Sequence, residues 1–231
     1  MGKVFNFEGP VFSFLSRLAD LFWLNLLFIV CSIPVITIGA AATALYYVTL
    51  KMAKDEEGYI TRSFFKSFKE NFIQATVIWI LFLVVMIVMF MDLRIANGSN
   101  MADFFNDPMV SNVVIVAVGV MCIVLLMVFT YVFPILAQFD NTVKNTIKNA
   151  FLISIRHLPY TILMILISII PFALIWFSPA LLILVLIMFS ATAYINSKFF
   201  NKIFVIYMPK DDQQEGSVIP AEGIDGEVGK E

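Results

Sequence analysis

Four stretches of the chain contain no Asp, Glu, Lys, Arg or His and are dominated by apolar residues. They run over 21–50, 71–91, 108–139 and 158–197. Each is long enough to cross the hydrocarbon core of a bilayer, which takes roughly 20 residues of helix. The composition agrees, with 61% hydrophobic residues and a mean hydropathy of +0.92. The pattern predicts an all-α polytopic membrane protein.

The charges beside each stretch predict how often it crosses, because cytoplasmic loops are rich in Lys and Arg. The 158–197 stretch has basic residues on both sides, which predicts a helical hairpin that turns near 177–179. The 71–91 and 108–139 stretches each have a basic flank on one side only. We expect each of them to cross once, with a tilt or a bend near Pro134 in the longer one.

The first stretch, 21–50, also has basic flanks on both sides, which favours a hairpin that turns at Pro34–Gly39. With six crossings, only Arg94 of the 15 Lys and Arg residues lies outside, whereas with five crossings Lys3 and Arg17 lie outside as well. Six crossings require spans of about 15 residues here, roughly 22 Å, which is short for a membrane. We expect about six transmembrane helices, with five as the alternative.

Two cytoplasmic loops have the pattern of amphipathic helices. In 62–72 the Phe side chains fall within an arc of roughly 100° and the basic side chains cluster on another side. A related pattern recurs at 142–156, which is compatible with an internal repeat over 40–91 and 109–177. Such helices lie at a membrane surface or dock a soluble partner. The candidate interaction residues are Arg62, Phe64, Phe65, Lys66, Phe68, Lys69 and Phe72.

The ends of the chain differ from this apolar body. Residues 1–20 form an N-terminal amphipathic segment, in which 10–20 read either as a short surface helix or as the first turns of the first membrane helix. Residues 21–207 are expected to form one transmembrane helical domain. Residues 208–231 are acidic and poor in apolar side chains, so we expect a disordered tail.

The groups that catalysis requires are scarce. His157 is the single His of the chain, and no zinc, nucleophile or phosphate-loop motif is present. None of the four apolar stretches contains an ionisable Asp, Glu, Lys, Arg or His, the usual marker of pumps and coupled carriers. The scattered basic residues do not indicate nucleic-acid binding. We expect a protein that is not an enzyme and has no cofactor.

Milder polar and small residues do occur inside the apolar stretches. They suit either close helix packing, in which small residues let backbones approach and amides bond across helices, or a path for a solute at a broken helix. The candidate packing or path residues are Asn25, Pro34, Thr37, Gly39, Thr43, Gln74 and Gln138.

Two segments carry a resemblance to a known family. Residues 25–47 read NLLFIVCSIPVITIGAAATALYY and residues 64–72 read FFKSFKENF. They resemble the YesL-like family of bacterial integral membrane proteins, which carry a domain of unknown function, and 138–142 and 149–151 are also similar to it. Members of that family are commonly encoded beside carbohydrate-uptake functions, so the resemblance implies association with sugar uptake or utilisation but supplies no catalytic or binding residues.

The sequence is compatible with two functions. The first is an accessory or scaffold subunit of unknown molecular activity, and the alternative is a small-solute, sugar-related permease. The expected partners are the lipid bilayer and either a sugar-uptake transporter component or further copies of the chain. The expected location is the bacterial cytoplasmic membrane, as a multi-pass protein with a cytoplasmic C-terminus.

Overall fold

The computed structural model describes residues 10–56, 58–96, 108–177 and 185–208, and this part of the chain is helical without strands. The predicted all-α class is therefore confirmed for the described residues. The first nine residues and the acidic tail after Met208 lie outside them. The helices are α1 (Pro10–Ser32), α2 (Ile38–Met52), α3 (Ile60–Glu70), α4 (Phe72–Ala96), α5 (Pro108–Gln138), α6 (Val143–Arg156), α7 (Leu158–Phe177) and α8 (Val185–Phe204), and a single 3₁₀ turn, Val35–Thr37, separates α1 from α2.

Several helices are long and apolar enough to cross a membrane. Within the described ranges these are Ser13–Ser32, Val35–Met52, Phe72–Met91 and Val116–Gln138. A fifth is added if α6 and α7, bent by 104° at their junction, are counted as one span. Length and composition thus support a multi-pass protein with four or five such helices among the described residues, and the predicted count of six is not confirmed.

The short helix α2 is the centre of the bundle and packs against α1, α3, α4, α5 and α8. Its small residues allow this crowding. A Cβ atom on Gly39 would lie 2.5 Å from the carbonyl oxygen of Ala75 and 2.7 Å from the Cβ of Trp79, both in α4. The backbone at Gly39 therefore packs directly against α4, because a side chain at this position would meet the backbone of Ala75.

The first apolar stretch folds as an antiparallel pair of helices. Arg17, near the start of α1, contacts Asp55, just after α2, and donates a hydrogen bond of 2.8 Å to Tyr194 of α8. The start of α1 and the end of α2 therefore lie together. Since α1 is continuous from Pro10 to Ser32, residues 10–20 are the first turns of the first helix and not a separate surface helix.

The last apolar stretch also forms an antiparallel pair. His157, before α7, lies 3.2 Å from the hydroxyl of Tyr207, after α8. Further along, the Asn196 amide donates to the hydroxyl of Ser168 at 3.0 Å. Contacts at these two levels show that α7 and α8 run in opposite directions. Helix α7 ends at Phe177, and the rest of the expected turn at 177–179 lies outside the described residues.

The basic loops gather at one end of the bundle. There α3 packs mainly on α2, and α6 packs mainly on α5. Helix α5 runs unbroken from Pro108 to Gln138 with Pro134 inside it. Phe139, just after α5, contacts Phe204 at the end of α8, with ring centroids 5.2 Å apart. This basic end carries the candidate functional surfaces.

Candidate interaction surface at the basic end

The apolar face of α3 is turned toward the protein. Phe64 is fully buried in a cluster with Leu45 and Val48 of α2, and Phe68 is half-buried beside it. The rings of Phe64 and Phe68 stack with centroids 6.2 Å apart. The prediction of Phe64 as an interaction residue is therefore corrected, because α2 occupies the space in front of its ring.

The remaining Phe residues of this segment are more open. Phe65 is 39% exposed and Phe72 is 36% exposed. Phe72 begins α4 and packs against Phe68, with centroids 5.5 Å apart, so it belongs to the junction of the two helices. Phe65 is therefore the aromatic candidate on α3 that remains available to a partner or to lipid.

The three predicted cations of α3 stand on its exposed side. Together with Phe65 and Tyr59 they line a shallow depression of about 670 Å³. The ion pairs formed among the described residues join Arg17 to Asp55 and Lys54 to Glu56. None of the three cations of α3 takes part in them. The cations are Arg62, Lys66 and Lys69.

Helix α6 is the counterpart of α3, with a different buried face. It begins at the cap Thr142, whose hydroxyl accepts a hydrogen bond from the backbone N–H of Asn145. Its buried residues include the small Thr146, Ala150 and Ser154, which let α6 approach α5 closely. Its cations are exposed, as on α3, but aromatic residues do not dominate its apolar face.

His157 forms the junction of α6 and α7. Its ring lies against Tyr207, and the guanidinium of Arg156 lies over the same tyrosine ring at 5.8 Å. Burial, with a smaller contribution from the charge of Arg156, lowers the pKa of His157 below its ordinary value. The contact of His157 with Tyr207 ties the end of α8 to the start of α7, a structural role.

Two predicted path residues meet in a polar pocket. Gln74 of α4 and Gln138 of α5 line a cavity of about 640 Å³ at the basic end, with Tyr47, Asn71 and Asn141 around them. These amides can bond a polar solute. The side-chain amide of Asn71 also donates to the carbonyl of Ser67 at 3.1 Å. This bond lies at the junction between the end of α3 and the start of α4.

The other predicted path residues do not join this pocket. Asn25 and Thr43 are fully buried between helices, and the Thr43 hydroxyl donates to the carbonyl of Gly39 within its own helix. Pro34 and Thr37 lie in the turn between α1 and α2. None of these four residues lines the pocket that Gln74 and Gln138 share.

Side chains of α8 make several contacts between helices that the sequence analysis did not single out. The hydroxyls of Thr49 and Ser197 lie 2.8 Å apart, and the Asn201 amide donates to the carbonyl of Leu50 at 3.0 Å. The Ser190 hydroxyl donates to the carbonyl of Leu21 at 2.7 Å. For Ser190 and Ser197 the available signal was a polar residue inside the apolar stretch 158–197, since such side chains tend to bond across helices.

An N-terminal part of the chain matches a family. Residues 21–93 match the family model described as a protein of unknown function, DUF624. The match covers α2 and α3 completely and is consistent with the resemblance seen in 25–47 and 64–72. No curated protein and no solved structure matches the chain. The matched family supplies no activity, so function rests on the geometry of the site.

Proposed function

We propose that the protein is a non-enzymatic, multi-pass protein of the bacterial cytoplasmic membrane that acts as an accessory or scaffold subunit. Its docking surface is the exposed face of α3. The observation that carries the proposal is the position of Arg62, Lys66 and Lys69 around the half-exposed Phe65, on the side that the bundle does not use. Cations beside an exposed ring suit an acidic, partly apolar segment of a partner.

The partner class that we propose is a component of a sugar-uptake transporter. Support comes from the resemblance to the YesL-like family alone, which is an association and not a mechanism. A second copy of this chain is the competing partner, and it is separated from a transporter component by the molecular mass of the purified assembly.

We further propose that six helices are embedded in the membrane and that both chain ends face the cytoplasm. The embedded helices are α1, α2, α4, α5, α7 and α8. Support comes from the contact of Arg17 with Asp55, which brings the start of α1 to the level of the loop after α2. Lys198 and Lys202, in the last part of α8, lie toward the same end, as the enrichment of basic residues on the cytoplasmic side requires.

The docking role is tested by changing Lys66 and Lys69 together to Gln in the full-length protein. Headgroup attraction amounts to only about 1 kcal/mol per charge. We therefore expect the variant to reach the membrane in normal amounts. A strain that carries it should nevertheless reproduce the growth defect of the deletion strain on a panel of sugars, and co-purification of the transporter component should be lost.

The matched control changes two exposed cations of the other amphipathic helix, Lys144 and Lys148, to Gln. This variant removes the same charge from the same end of the bundle, so it should retain growth and co-purification. Equal defects in both double variants would indicate a general charge effect. Normal behaviour of the α3 variant would reject docking through this face.

The alternative function is a small-solute permease. It is favoured by the polar pocket that Gln74 and Gln138 line. The next cavity toward the middle of the bundle, about 890 Å³, is lined mainly by apolar residues such as Phe129 and Ile165, with a few Ser and Thr residues among them, and so has few groups that bond a sugar. Flux of sugars into liposomes that contain only the purified protein would support the permease, and the absence of flux across the panel would leave the accessory role.

A further inference from the structure

The turn between α1 and α2 has an unusual surface for a loop. Ile33, Val35 and Ile36 are 75%, 58% and 59% exposed, and the segment contains no charged residue. Turns that face water are normally built from Gly, Asn, Asp and Ser next to Pro. An exposed turn made of branched apolar side chains is compatible with lipid around it.

The backbone carbonyls of this turn accept hydrogen bonds from other groups of the protein. The Thr37 hydroxyl lies 2.6 Å from the carbonyl oxygen of Cys31 and 2.7 Å from that of Pro34. The indole N–H of Trp79, from α4, donates to the carbonyl of Val35 at 2.7 Å. Irregular backbone in hydrocarbon requires such partners, because no water is present to bond the carbonyls that a broken helix frees.

Helix α4 indicates how deep the turn lies. Trp79, which bonds the turn, is about 10 Å from Phe72 at the basic end of α4, at 1.5 Å per residue. Beyond Trp79 the helix continues without charge to Met91, about 18 Å farther. The turn is therefore bonded to the first half of α4 and ends well short of its far end.

Helices α5 and α2 give larger distances from the basic end, which are still shorter than the hydrocarbon core is thick. The ring of Phe129 contacts Trp79, with centroids 6.1 Å apart, and lies about 14 Å from Gln138 at the basic end of α5. Helix α2 itself rises only about 21 Å between Met52 and Ile38. A hydrocarbon core is about 30 Å thick. Counted from the basic end of each helix, all of these positions therefore lie within the core.

We infer that α1 and α2 form a re-entrant hairpin, which enters the membrane from the basic side and returns to it. The tip, Ile33–Thr37, lies in the hydrocarbon core and is anchored there by Trp79 and Thr37. The helices that cross the membrane are then α4, α5, α7 and α8. Both chain ends stay on one side, and the inference does not depend on the docking role of α3.

The test is the depth of nitroxide labels in the full-length protein reconstituted in lipid nanodiscs. Single cysteines replace Ile36 at the tip, Ile73 at the basic end of α4 and Met91 at its far end, after Cys31 and Cys122 are changed to Ala. All three labelled positions are exposed on the protein, at 59%, 76% and 57%, so the label does not disturb packing. Collisions with oxygen report hydrocarbon, and collisions with a water-soluble nickel chelate report water.

We expect the label at position 36 to have a higher ratio of oxygen to nickel collisions than the labels at positions 73 and 91. A ratio at position 36 equal to or below that at 91 would overturn the inference, because a crossing hairpin turns at the far surface. A second tip variant, Val35→Cys, must give the same order. In intact cells neither tip cysteine should react with an impermeant maleimide, whereas Ser99→Cys, in the loop predicted to be external, should react. Reaction at the tip would establish a crossing.

Discussion

The two hairpins of the bundle, α1–α2 and α7–α8, have the same charge pattern but different lengths. The charge-free stretch 21–50 provides about 15 residues per pass, roughly 22 Å, whereas 158–197 provides about 20 residues per pass, roughly 30 Å. Basic flanks on both sides report only that the chain returns to the side from which it entered. The flanking charges thus indicate on which side of the membrane a hairpin begins and ends. The number of apolar residues per pass limits how far the hairpin can extend into the membrane.

The hairpins also differ in how they are held. The first is fixed near its tip, where Gly39 touches the backbone of α4 and Trp79 bonds the turn. The second is held along its length, by the amide of Asn196 on Ser168 and by the rings of Tyr160 and Phe199, with centroids 6.1 Å apart. We therefore expect single changes to damage the two hairpins unequally.

The largest effect is expected for Gly39→Leu. Any side chain here meets the carbonyl of Ala75, which is backbone and cannot move aside, so α2 must separate from α4. Overpacking costs typically about 1–3 kcal/mol and more against backbone. We expect a marked fall in membrane-integrated protein, measured by quantitative blotting of membranes. Gly119→Leu is the control, because nothing lies within 4 Å of a Cβ at Gly119. Equal accumulation of both variants would show that the close contact of α2 with α4 at Gly39 has no special role.

The next effect concerns the tip. Trp79→Phe keeps an aromatic ring beside Phe129 but leaves the carbonyl of Val35 without its donor. An unsatisfied carbonyl in hydrocarbon costs about 1–3 kcal/mol. Trp23→Phe is the matched control, since its indole bonds the hydroxyl of Thr61 at an exposed site where water or a headgroup can replace it. The unfolding midpoint in nanodiscs should fall more for the Trp79 variant. Equal shifts would argue that the turn is in water.

The smallest effect concerns the second hairpin. Ser168→Ala removes the partner of the Asn196 amide, and we expect a loss of about 1 kcal/mol in unfolding free energy. Thr130→Val is the control, because the Thr130 hydroxyl donates to the carbonyl of Leu126 in its own helix. Thermal unfolding of both purified variants provides the measurement. A larger loss for Thr130→Val would indicate that the second hairpin does not depend on this bond.

The two amphipathic helices show what periodicity can predict. The segments 62–72 and 142–156 were expected to be helical, and α3 and α6 begin and end within about two residues of them, as is usual for helix ends. Which face of α3 meets the protein was not predictable. An apolar stripe fits lipid and a neighbouring helix equally well, because lipid tails are as apolar as Leu.

The candidate site was predictable only in part. Exposure of the cations at 62, 66 and 69 follows from their position on the wheel. The meeting of Gln74 with Gln138 does not, because these residues are far apart in the chain and come together only when α4 and α5 pack. The burial of Phe64 has the same origin, since its neighbours Leu45 and Val48 lie in another helix.

The sequence by itself determined the all-α class, the positions of the apolar helices and the amphipathic pattern of α3 and α6, because these depend on neighbouring residues and on a period of 3.6. Only the tertiary structure decided which helix the first turn is bonded to and which Phe residue of α3 is buried. These depend on Trp79 reaching Val35 and on α2 lying in front of Phe64, contacts that no local pattern encodes.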